Sequence, residues 1–119
     1  MVLVTRVGDA GGSRAAAAAL ACAGSEPDRA GLMVDLDAQR RPRPSLVATV
    51  AARQLEERLA AHLPDAAVAS RGCTCHLALP PGSEPIESLP AALALVRDST
   101  TVVHLPPSLL QPALAHRDV

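Results

Sequence analysis

Four short apolar runs, each too brief for a helix and each followed or preceded by a stretch long enough to hold one, constrain the fold of this chain more than any other feature. They are Val2-Leu3-Val4-Thr5, Leu32-Met33-Val34-Asp35-Leu36, Cys75 to Leu79, and Thr101-Val102-Val103-His104-Leu105, with Ala66 to Ala69 as a weaker alternative for the third. Apolar residues at consecutive rather than alternating positions belong to strands covered on both faces, the pattern of a parallel sheet. The intervening stretches predict helices. The first is the alanine-rich segment Ala15 to Ala23, closed by Gly24. The second is capped by Ser45, carries Val47, Ala51, Leu55, Leu59 and Leu63 at four-residue spacing, and stops at Pro64. The third follows Ile86, Leu89, Leu93 and Val96, with Pro90 near its start. The resulting order βαβαβαβ predicts an α/β fold, Rossmann-like and three-layered, with a mainly parallel sheet of about four strands.

The 119 residues fit one domain, 1–119. With no Phe, Tyr or Trp its core has to be aliphatic, and all eleven basic residues are arginine, so the chain has no lysine. A net charge of −1 lacks the electrostatic footprint of a nucleic-acid binder, and Arg40, Arg41 and Arg43 read as a solvated loop. No apolar run approaches the roughly 20 residues that span a bilayer, and no basic segment precedes the first strand as in a signal peptide, so the expected location is cytoplasmic. Three cysteines do not suggest a disulfide framework and are expected as reduced thiols. Cys73-Thr74-Cys75-His76 contains ligand types that suit Zn²⁺, but Cys73 and Cys75 would share one strand face and His76 the other. Buried small thiols are the plainer expectation there, and Cys22, late in the alanine helix, is expected in the core.

In parallel α/β sheets ligands bind beyond the carboxyl ends of the strands, so the residues just after each strand carry the functional information. After the first comes Gly8-Asp9-Ala10-Gly11-Gly12-Ser13-Arg14-Ala15, leading into a helix. Such a loop can aim backbone N–H groups and a helix dipole at a phosphate. A working P-loop also needs a lysine for the terminal phosphates and a hydroxyl for Mg²⁺. Here Ser13 or Arg14 stands at the lysine position and Arg14 or Ala15 at the hydroxyl position, depending on register, and neither register restores both. A tight strand-to-helix turn is the alternative reading. After the second strand, Asp35 and Asp37 can lie on one side and hold a hydrated Mg²⁺, or simply form a solvated strand exit.

The fourth strand carries His104-Leu105-Pro106-Pro107-Ser108 at its end. A glycine loop, then VDLDAQ, then VVHLPPSLL, each at a strand end, resembles the MinD/ParA branch of P-loop ATPases. In that resemblance Gly11 and Gly12 match loop glycines, Asp35 and Asp37 match the carboxylates of the family's DLD segment, and Pro106, Pro107 and Ser108 match the residues after Walker B. The departures fall on the chemistry: the loop lysines have no counterpart, and His104 stands for the Walker B aspartate. What the resemblance implies is a degenerate, incomplete P-loop NTPase-like fold, non-hydrolysing, acting as a partner-binding, regulatory or localisation factor, with a protein partner or a second copy. ATP with Mg²⁺ is the cofactor it implies, held by Gly8, Gly11, Gly12, Ser13, Arg14, Asp35 and Asp37. Arg14 would either grip a phosphate through its fork, giving a weak ATP-binding protein or ATPase, or sit in solvent on the first helical turn. Members of that family are longer, so a truncated copy, the N-terminal part of a longer domain, a non-functional fragment and a domain completed by pairing all stay open.

Overall fold

The computed structural model describes residues 2–5, 10–36, 42–43, 45–64, 66–78, 100–106 and 108. In chain order these form β1 (Val2–Thr5), α1 (Ala10–Ala23), β2 (Gly31–Asp35), α2 (Val50–His62), β3 (Ala67–Arg71), β4 (Thr74–Ala78) and β5 (Thr101–Leu105). The five strands make one sheet in the order β1-β5-β2-β4-β3. β1, β5, β2 and β4 run parallel, and β3 pairs antiparallel with β4. The fold is α/β with a mostly parallel sheet, as expected, and the arrangement is compatible with a Rossmann-like one. The expected helix over Ile86 to Val96 lies outside the described residues, as does Leu79.

Strand alternation sorts side chains onto two faces, and among the described residues α2 covers one and α1 the other. Leu32, Val34, Cys75, Leu77, Val103 and Leu105 pack with Ala52, Leu55 and Leu59 of α2. Met33 and Val102 pack on the opposite face with Ala17 and Ala21 of α1. Both clusters are aliphatic or sulfur-bearing, and the small alanine face of α1 brings its backbone close to the sheet. At Gly31 the approach is closest, since a Cβ there would lie 2.0 Å from the Ala21 carbonyl oxygen. Only glycine fits beneath the helix.

Three expectations are corrected. Helix α1 begins at Ala10 rather than Ala15, so Gly11, Gly12, Ser13 and Arg14 are helical. Gly12 has no positive φ and open space where a Cβ would point. Helix α2 is capped by Thr49, whose hydroxyl accepts from the Ala52 N–H at 3.1 Å, and not by Ser45. The Ser45 N–H instead reaches the Ser70 carbonyl, and bonds of 2.8 Å from Gly72 N–H to Val47 O and from Thr49 N–H to Gly72 O lay residues 45–49 along the outer edge of the sheet. That covers the β3 edge against unwanted pairing. Val47 is accordingly outside the helix and exposed, and α2 buries Ala52, Leu55 and Leu59.

Finally, the two alternatives for the third strand are both strands. They form a hairpin whose last pair is Arg71 with Thr74, leaving Gly72 and Cys73 as the two loop residues. Gly72 has φ 57° while no described non-glycine residue is positive, the sign pattern of a type II′ turn with glycine first.

Two glycines separate these constraints experimentally. Gly31→Ala is expected to cost roughly 1–3 kcal/mol or more through overpacking against backbone, read as a lowered urea midpoint. Gly12→Ala, in an open helical position, is expected to leave stability unchanged or raise it by up to about 1 kcal/mol. A large loss at Gly12 would restore the loop reading.

Candidate functional site

The three strands carrying the singled-out motifs are adjacent, with β5 between β1 and β2. Their parallel registers bring their carboxyl ends together, and Asp35 lies directly beside His104. By alternation from Met33 and Val102, both side chains stand on the α1 face. The first turns of α1 supply Ser13 and Arg14 from above.

These four side chains form one connected network. Arg14 Nε donates to Asp35 Oδ2 at 2.7 Å, and His104 Nδ1 meets Asp35 Oδ1 at 3.0 Å. On the far side of the ring, His104 Nε2 lies 2.8 Å from Ser13 Oγ. His104 is fully buried, the Asp35 carboxylate is 12% exposed and the Arg14 side chain 38%. A carboxylate only accepts, so Nδ1 carries the proton, and in the neutral ring Nε2 accepts from the Ser13 hydroxyl. Among the described residues no buried side-chain nitrogen or oxygen lacks a hydrogen-bond partner.

Arg14 therefore differs from both expectations for it, being neither free to grip a phosphate nor simply solvated. Gly11 and Gly12 precede Ser13 in the helix, with Gly12 exposed. Gly8, Asp37 and Pro107 lie outside the described residues, while Pro106 follows β5 half-buried and Ser108 is exposed. What reading by residue type missed was the role of His104. It looked like a bare loss of a magnesium-binding carboxylate, yet it is the centre of the network. Its position at a buried strand end on the face of Asp35 was the available signal.

The cysteine and histidine motif is taken apart by the hairpin. Cys73 sits in the turn, not on the strand face of Cys75, and lies 2.7 Å from Cys22. Cys22 is exposed, which corrects its assignment to the core. Cys75 alone is the buried thiol expected here, and burial, followed by the nearby Glu56 charge, pushes it up to about 12. Among the described residues no group of three or more His, Cys, Asp or Glu side chains is placed to hold a metal ion. No helix among them is long and apolar enough to cross a membrane.

Comparison with protein-family models, with curated proteins and with solved structures finds no match.

His76, half-buried beside Thr74 Oγ1 at 3.1 Å, is held below the ordinary imidazole range by burial first and by the Arg71 charge second, with Asp35 opposing. A depressed histidine makes the unfolded chain bind the extra proton first. Its contribution to stability is thus complete above the unfolded value, about 6.5, and is lost as pH falls toward the folded value. Native protein is expected to lose stability as pH falls below about 6.5, with His76→Gln flattening that slope in urea titrations. Within the network, Asp35→Ala would strand the buried His104 Nδ1–H, at a cost of roughly 1–3 kcal/mol. Arg14→Ala should lower the urea midpoint less, because its guanidinium is partly solvent-screened.

Proposed function

We propose that this chain is a catalytically degenerate, MinD/ParA-like P-loop domain that works by binding a protein partner rather than by turning over nucleotide. One observation carries the reading: both oxygens of Asp35 are taken, by Arg14 at 2.7 Å and by His104 at 3.0 Å. The carboxylate suited to a hydrated Mg²⁺ and the cation suited to a phosphate neutralise each other. Phosphoryl transfer depends on preorganised charge aimed at the transferring group, and here that charge is spent internally. Nucleotide would have to displace Asp35 from Arg14 to gain that arginine contact. Adjacent glycine-bearing, DLD-bearing and LPPS-bearing elements at one sheet end support the ancestry.

Partner binding is supported by a cluster of exposed aliphatic side chains where the edge segment enters α2. Leu46 is 98% exposed, Val47 77% and Val50 72%. Contiguous exposed apolar patches mark protein contact sites, and these three side chains lie within five residues of one another. A cytoplasmic location goes with this reading.

A second reading is favoured by the hydrogen-bond relay itself. Asp35, His104 and Ser13 stand in the order of an acid, a base and a hydroxyl nucleophile. In that reading Ser13 Oγ attacks an acyl carbon as His104 Nε2 takes its proton and returns it to the leaving group. The acyl-serine is then hydrolysed by water. The first-turn N–H groups of α1, which lack intrahelical acceptors, would face the oxyanion.

Three measurements on the native chain decide between these. The partner-binding reading expects phosphate release from Mg-ATP at the buffer background, no saturable binding of fluorescent ATP in the low millimolar range, and no labelling by a fluorophosphonate. Hydrolysis abolished by Arg14→Ala would replace it with a weak ATPase. Labelling confined to Ser13 and lost in His104→Ala would replace it with the acyl-transfer reading.

A further inference from the structure

At the opposite end of α1 from the polar network, Cys22 and Cys73 are 51 residues apart in sequence and 2.7 Å apart between sulfurs. That is well inside van der Waals contact, and closing to a bond length of about 2.05 Å requires less than about 1 Å of movement. Neither backbone is loosely placed. Cys22 is in the last turn of α1, and its carbonyl oxygen accepts from the Ser25 N–H at 3.1 Å and from the Ser25 hydroxyl at 2.7 Å. Cys73 is the second loop residue of the β3–β4 turn, and its carbonyl accepts from the Gly31 N–H at 3.2 Å. The pair is open to solvent, with Cys22 exposed and Cys73 half-buried, whereas Cys75 is sealed in the core.

We propose that Cys22 and Cys73 form a redox-active dithiol site that exchanges with small-molecule or protein disulfides, Cys73 being the attacking thiolate and Cys22 the resolving thiol. The inference is independent of the nucleotide-site reading, since it uses no residue of that network.

The two sulfurs are chemically unequal. The hydrogen bond from the Cys22 thiol holds Cys73 below the usual thiol range, with the nearby Ser25 hydroxyl as the second cause. The same bond raises Cys22, with burial and the charge of Cys73 adding to it. The carbonyl end of α1 does not separate the two sulfurs, since Cys73 Sγ also lies 3.9 Å from the Cys22 carbonyl oxygen.

In the exchange, the Cys73 thiolate attacks one sulfur of a disulfide RSSR, forms a mixed disulfide and expels RS⁻. Cys22 then loses its proton and attacks the Cys73 sulfur, expelling the second RS⁻. The two thiolates leave as RSH, so two electrons pass from the protein dithiol to RSSR, and the protein gains one internal disulfide. The product ties the C-terminal end of α1 to the β3–β4 turn and closes a loop that constrains the unfolded chain.

The test equilibrates the native chain in buffers of increasing glutathione disulfide to glutathione ratio, traps thiols with iodoacetamide and reads intact and peptide masses. The expected product has lost about 2 Da, bears no lasting glutathione, links the Cys22 and Cys73 peptides, and shows a thermal midpoint raised by several degrees. Cys75 should alkylate only after denaturation. Cys22→Ser should accumulate a glutathione adduct on Cys73, formed faster than the adduct on Cys22 in Cys73→Ser. A native chain that stays fully reduced at every ratio, that carries stable glutathione adducts in place of the bridge, or that bridges through Cys75 would overturn the proposal. Equal adduct rates in the two variants would overturn the assignment of Cys73 as attacker. The native-chain measurement stands even where a variant fails to fold.

Discussion

The seat of α1 on β2 is the constraint on which the rest of the molecule depends. At Gly31 the helix backbone comes so close that a single methyl group would strike the Ala21 carbonyl. This contact fixes both the height and the register of α1 above the sheet. Nine residues separate Ser13 from Cys22, a rise of about 13–14 Å along the helix, roughly the span of the strands beneath. One seating therefore places Ser13 and Arg14 over the carboxyl ends of β2 and β5 and places Cys22 over the turn that opens β4. Neither the polar network nor the sulfur pair could survive a one-residue slip of the helix.

Such a close seating is the consequence of a core without Phe, Tyr or Trp. Ala17 and Ala21 are wholly buried on the α1 face, and opposite them stand Met33 and Val102. Small side chains bury little area each, so dispersion has to be recovered by bringing backbones together. On the other face Leu55 and Leu59 of α2 reach down to larger aliphatic partners, and no comparable glycine is required. The two layers thus solve the same problem differently.

These differences decide what could be read from residue order alone. β1, β2 and β5 were legible because valine and leucine runs of strand length leave few alternatives, and the body of α2 because its leucines recur at helical spacing. Helix α1 offers no such contrast. In a stretch almost entirely of alanine, every face looks equally apolar, so neither its start at Ala10 nor the outward position of Cys22 could be distinguished. Gly11 and Gly12 argued for a loop through local propensity, and tertiary seating overrode them. The hairpin was obscured in a similar way: Ala-Val-Ala-Ser-Arg has weak strand propensity, and Gly72-Cys73 is not among the strongest turn dipeptides. Of the site, Ser13, Arg14 and Asp35 were legible from the strand-end rule, since any parallel sheet exposes those positions together. Their mutual pairing was not, because hydrogen bonding across about 91 residues of sequence, as between Ser13 and His104, leaves no local trace.

Arg14 and His104 act as one physical unit centred on Asp35. A carboxylate in a largely buried site needs its oxygens satisfied, by a metal, by water or by donors. With an aspartate at 104 in place of the imidazole, two carboxylates would face each other across adjacent strands, and like charges so close cannot both ionise without a compensating cation. An imidazole at that position does the opposite, supplying Nδ1–H to one oxygen while Arg14 supplies Nε–H to the other. Each side chain is favourable in the presence of Asp35, and together they satisfy both of its oxygens. Replacing either alone would leave an oxygen unsatisfied or create a charge conflict. Ser13 completes the network by engaging the remaining ring nitrogen, so that no polar atom of the buried imidazole is left without a partner.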